Sequence, residues 1–158
     1  MIRKILYASL LLLVVSRVSA QNFDNNSVTK LSSQEDYKNA EPNVLKAANF
    51  LFSTPAKPET SDRLDALSFI IKWMEGTDAY TFNLGDDAMK LTKGSNALFG
   101  MYLAGLTKVF LENPEVTFED KELHDKTVLL LATYCQKKEH GLKPSKVLKK
   151  MIKAMKKG

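Results

Sequence analysis

Residues 96–114 read "NALFGMYLAGLTKVFLENP". On a helix, Leu98, Tyr102, Leu106, Val109 and Phe110 fall on one face, and Ala97, Gly100 and Ala104 on another. The second face carries almost no side-chain bulk, so a neighbouring backbone can approach it closely. A helix that is apolar on one side and small on another is covered from both. This segment is therefore expected to be the central helix of an all-α domain. Asn113-Pro114 stops it, because the residue before a proline is pushed out of the helical region.

The flanking segments show the same periodicity. "NVLKAANFLF" (43–52) aligns Val44, Ala48, Leu51 and Phe52 on one face. Pro42 suits a first turn, so order is expected to start there. Residues 21–41 are polar and aperiodic, and are expected to form a flexible leader. After "STPAKPET", Ser61 or Asp62 can cap a second helix. Its Leu64, Leu67, Phe69, Ile70, Ile71, Trp73 and Met74 cover more than half the wheel, which needs neighbours on two sides. Gly76 is expected as a left-handed stop, and Asp86 as the cap of a short helix ended by Gly94. Thr117 and Asp120 resemble a capping box for a helix running to His140, stopped by Gly141. Pro144-Ser145 opens a final helix. The fold class is all-α, with about five helices arranged as packed αα-hairpins, in one domain over 42–158. "NFLFSTP" and "KVFLENP" echo each other at an offset of 59 residues, which would make the fold two helical-hairpin repeats.

The ends of the chain differ from its middle. "MIRK" is a basic head, "ILYASLLLLVVS" a short apolar run, and Val18-x-Ala20 a small-residue cleavage pattern. Residues 1–20 are expected to be a signal peptide, with a mature chain starting at Gln21 in the periplasm or outside the cell. No later stretch is long and apolar enough to cross a bilayer. Residues 21–142 carry thirteen cations and eighteen anions, a net −5, whereas seven lysines and no acids follow from Lys143. An acidic body with a cationic tail does not suit a nucleic-acid binder. The single cysteine, Cys135, is expected to act as a small buried hydrophobe.

Two stretches are candidates for function. "KWMEGTDAYTFNLGDD" (72–87) holds the only tryptophan, and a groove lined by Trp73, Tyr80 and Phe82 competes with plain core packing of the same residues. Its Glu75, Asp78, Asp86 and Asp87 lack the ligand spacing of a calcium loop, and no metal or other cofactor is expected. In "KPSKVLKKMIKAMKKG" (143–158), Val147, Leu148, Met151, Ile152 and Met155 share one arc. Lys146, Lys149, Lys150, Lys153, Lys156 and Lys157 share the opposite one. Such a helix either docks on the core with its lysines in water, or lies on an anionic surface. HExxH, CxxC, GxSxG, a P-loop and GxGxxG are all missing, so no catalytic residue is assigned.

The order W-x-x-G-T-D-x-Y-T-F, then "LFGMYLAGLTKVFLEN", then "GLKPSKVLKKMIK", resembles small uncharacterised exported proteins of Gram-negative bacteria over about residues 42–157. The resemblance implies export and a helical fold, and carries over no functional residue. The expected function is an exported module that binds another protein. The alternatives are an envelope-associated structural protein whose cationic tail holds anionic components, and an enzyme of unrecognised type.

Overall fold

The computed structural model describes residues 31–156. Six α-helices follow one another: α1 (Gln34–Ser53), α2 (Ser61–Gly76), α3 (Asp86–Thr92), α4 (Asn96–Leu111), α5 (Asp120–Gln136) and α6 (Lys146–Met155). A single 3-10 turn, Lys138–His140, links the last two, and no strand occurs among the described residues. The additional helix beyond about five is the short α3.

α4 is the central element. It packs against α1, α2, α3 and α5, and every residue from Gly100 to Thr107 is buried. A Cβ at Gly100 would come within 2.6 Å of the Leu67 side chain on α2, and one at Gly105 within 2.9 Å of Thr127 on α5. Gly100 and Ala104 thus do what their size suggested, but Ala97 is exposed. Helices pack as pairs, α1 with α2 and α4 with α5, and α6 closes over α5 and α3.

Order begins earlier than Pro42. Ser33 caps α1, its hydroxyl accepting from Asp36 N at 3.2 Å while the Asp36 carboxylate accepts from Ser33 N at 3.0 Å. Leu31 and Ala40 are buried. The expected leader therefore ends before residue 31, and Pro42 lies inside the helix rather than at its start. The missing proline donor is tolerated because this capping box and the buried face Ala40, Val44, Ala47 and Leu51 hold the helix on both sides of it. The first part of the expected leader, 21–30, and the expected signal peptide lie outside the described residues.

Other termini also differ. Gly76 is not left-handed; it is glycine because the Tyr37 hydroxyl occupies the place of a Cβ, 2.0 Å away. Gly85 rather than Asp86 caps α3, and Glu119 rather than Thr117 caps α5. Gly94 and Gly141 do take positive φ, 79° and 67°, and Ser145 caps α6 through Leu148 N.

The C-terminus of α1 is tied down by two distant residues. Arg63 of α2 is buried, and donates to Leu51 O (3.0 Å), Thr54 O (3.2 Å) and Thr54 Oγ1 (2.6 Å). The Tyr134 hydroxyl donates to Thr54 O at 2.7 Å. The expected helix to His140 ends instead at Gln136, and the 3-10 turn after it folds the His140 ring against Tyr134, centroids 4.0 Å apart, and buries it. Cys135 is partly buried, and burial pushes its thiol up to about 12, in keeping with an inert side chain.

One polar atom in α4 is unpaired. The Thr107 hydroxyl is buried with no hydrogen-bond partner among the described residues, whereas Thr127 bonds back to Leu123 O at 2.8 Å. Thr107→Val keeps the shape and removes the orphan. We expect it to stabilise the protein by about 1 kcal/mol or more in urea denaturation. A variant no more stable than the parent would mean that the hydroxyl finds a partner in solution.

Candidate binding surfaces

The aromatic residues do come together, around a fourth ring. Tyr80 and Phe82 pack on each other and on Phe110, with centroids 5.1 Å, 5.1 Å and 5.9 Å apart. Trp73 stands behind them, 6.0 Å from Phe82 and 6.5 Å from Phe110. It is fully buried, and its indole N–H donates to Tyr37 O at 3.0 Å. A side chain with no exposed surface cannot line an open groove. Of the three candidates only Tyr80 and Phe82 reach the surface, and both are half-buried. This stretch is the edge of the core where α2 gives way to α3.

A cleft of about 200 Å³ lies beside it, between α3, α4 and α5. Asp120 forms part of its wall. Its carboxylate is held by the Tyr80 hydroxyl at 2.8 Å and the Asn83 amide at 3.1 Å. Tyr80 is pushed up to about 12 by burial and by these Asp120 contacts. Tyr102 lies deeper, with its hydroxyl 2.8 Å from His124 Nδ1. Burial, then the nearby Asp87 charge, pushes Tyr102 up to about 12, so the phenol stays protonated. The sequence places His124 on the face of Val128 and Leu131; its Tyr102 partner, 22 residues away, had no local signal.

The acidic residues do not assemble into a metal site. Glu75, Asp78, Asp86 and Asp87 are all exposed, and no group of three or more His, Cys, Asp or Glu among the described residues could share an ion.

α6 is the third surface. Leu148 is fully buried and Ile152 half-buried, so the helix is docked. The rest of its apolar arc is not covered: Val147, Met151 and Met155 are 42%, 37% and 41% exposed. Lys146, Lys149, Lys150, Lys153 and Lys156 are exposed, and among the described residues no salt bridge reaches any of them. Lys157 lies outside the described residues. No described helix is long and apolar enough to cross a membrane.

Comparison of the chain with protein-family models, curated proteins and solved structures finds no match.

Trp73→Ala should cost about 3–5 kcal/mol, the usual loss for a large buried aromatic. Tyr80→Phe should cost only about 1 kcal/mol, the value of one hydrogen bond. Thermal melts of both variants check the ranking. A Trp73→Ala protein that melts like its parent would overturn the core assignment.

Proposed function

We propose that the protein is an exported helical module that works by binding another macromolecule, and that α6 is its contact surface. One observation carries this reading. Five exposed lysines, with no salt bridge among the described residues, line a helix that is itself anchored by Leu148. Ammonium groups so crowded raise the local positive potential and attract an anionic partner over about a Debye length, ~8 Å in physiological salt. The body, at −5 over residues 21–142, repels the same partner, so contact is confined to one face. That partner is an acidic protein face or an anionic envelope component; an extended nucleic acid would also meet the acidic body. The export half of the proposal rests on the basic head, apolar run and Val18-x-Ala20 of residues 1–20.

A finer reading of the fold accompanies this one. The two helix pairs are copies of one hairpin unit. An offset of 59 carries α2, Ser61–Gly76, onto residues 120–135, and α5 spans Asp120–Gln136. Asn49 and Lys108, equivalent under that offset, bond to each other between α1 and α4. Paired hairpins of this kind commonly present binding faces.

The enzyme reading has less support. The cleft at Tyr102 and His124 gathers carboxylates, a phenol and an imidazole, but the phenol that meets the imidazole is buried and pushed up to about 12, which disfavours its ionised, nucleophilic form.

Expressed with residues 1–20, the protein recovered from the exported fraction should begin at Gln21 by mass spectrometry. Intact Met1 on a cytoplasmic product would end the export reading. On a polyanion column at low salt, the parent should elute later than a Lys149→Glu/Lys153→Glu/Lys156→Glu variant. The melting temperatures of the two should agree, since exposed charges contribute little to stability. Identical elution would remove α6 as the contact surface.

A further inference from the structure

The structure divides the apolar arc of α6 in two, and the division bears on what the helix meets. Leu148 and Ile152 face the core. Val147, Met151 and Met155, spaced four residues apart, form a separate strip that remains in water. A helix turns by ~100° per residue, so this strip lies between the docked pair on one side and Lys146 and Lys150 on the other. Lys149 and Lys156 lie on the far flank, beyond the docked pair. One edge of α6 therefore carries apolar side chains directly beside ammonium groups.

We propose that this edge binds the surface of an anionic lipid bilayer. The proposal rests on the reading of α6 as the contact surface and names its partner. α6 lies in the plane of the interface. Val147, Met151 and Met155 enter the boundary between headgroups and acyl chains, and Lys146 and Lys150 reach the anionic headgroups beside them. Two observations favour lipid over a soluble polyanion, and the charge suits either. An acidic polymer uses only the charges and gives the apolar strip no partner. A bilayer surface uses both, and apolar contact with charge attraction together give stable interfacial binding where one alone is marginal. Methionine side chains are flexible and polarisable, which suits a fluid, irregular boundary. The charge is complementary: from Lys143 to the end the chain has seven lysines and no acid. No described helix can span the bilayer, so the contact stays at its surface.

The geometry makes a forecast that charge alone does not. The strip-side lysines should matter more than those on the far flank, although both pairs are exposed. The test is co-sedimentation of the protein with vesicles of equimolar phosphatidylglycerol and phosphatidylcholine, against phosphatidylcholine alone, at low salt. The parent should sediment with the anionic vesicles only. Val147→Ser/Met151→Ser/Met155→Ser should weaken that binding by on the order of tenfold or more. Lys146→Glu/Lys150→Glu should weaken it ~30-fold, and Lys149→Glu/Lys156→Glu by clearly less. Circular dichroism melts accompany each variant, since all the substituted residues are exposed and should leave the fold intact. A triple-Ser protein that is folded and binds like the parent overturns the proposal. So does equal loss from the two lysine pairs. Retention on the polyanion column with no vesicle binding sinks the lipid partner and leaves α6 as a contact surface. Failure in both assays sinks both readings.

Discussion

The close approach of α4 to its two flanking helices governs this fold. At Gly100 the α2 side chain of Leu67 occupies the space of a Cβ, and at Gly105 Thr127 of α5 does so from another direction. A helix flanked this tightly must be apolar around most of its circumference, and α4 is. Helical glycine costs roughly 1 kcal/mol relative to alanine, so two in one helix weaken it locally. The closer packing they permit offsets that loss, because dispersion contacts decline steeply with small gaps. α2 and α5 are placed by these contacts. The aromatic edge at Tyr80 and the cleft at His124 follow from that placement, since Phe110 and Tyr102 of α4 form a part of each.

A second constraint lies at the end of α1. The last carbonyls of a helix lack partners within it and carry partial negative charge. Here a buried cation satisfies them. Among the described residues no carboxylate forms a salt bridge with Arg63; its guanidinium faces Leu51 O, Thr54 O and Thr54 Oγ1, and the sulfur of Met101 on α4. Burial pulls the guanidinium below its ordinary value, and Tyr134 and Glu59 oppose that pull. Removing Arg63 would leave the Leu51 carbonyl without this partner, while Thr54 O keeps the Tyr134 hydroxyl, and an unpaired buried acceptor costs more than the net value of the bond itself. Tyr134 and His140 bring α5 and the turn after it to the same point, so one polar knot joins residues far apart in the chain.

α6 divides its side chains between two tasks. Leu148 and, in part, Ile152 belong to the core, so the helix cannot be lost without opening the contact with α5 and α3. The lysines and the Val147–Met151–Met155 strip contribute little burial. Changes on the exposed arc can therefore alter binding without unfolding the protein, and a charge at Leu148 would do the reverse.

Local chemistry was legible in the sequence. Helical periodicity marked the five longer helices and turn residues the short α3; Ser145 read as the opening of α6, and Gly94 and Gly141 as stops, because each rule needs only a few consecutive residues. The small residues of α4 announced its central place, and the rings of Trp73, Tyr80 and Phe82, neighbours in sequence, lie close together in the fold. What failed depended on residues far apart. Pro42 looked like a helix start until the capping box at Ser33 and Asp36 held the helix on its other side. Gly76 looked like a left-handed stop, but it is small to admit Tyr37, 39 positions away. Arg63, His140 and the Tyr102–His124 pair carried no local sign of their partners. The wheel of α6 showed one apolar arc; only docking on α5 and α3 separated the buried Leu148 from the exposed Met151. Periodicity tells which face of a helix is apolar. Which part of that face meets protein, and which meets water, is decided by the helices that pack against it.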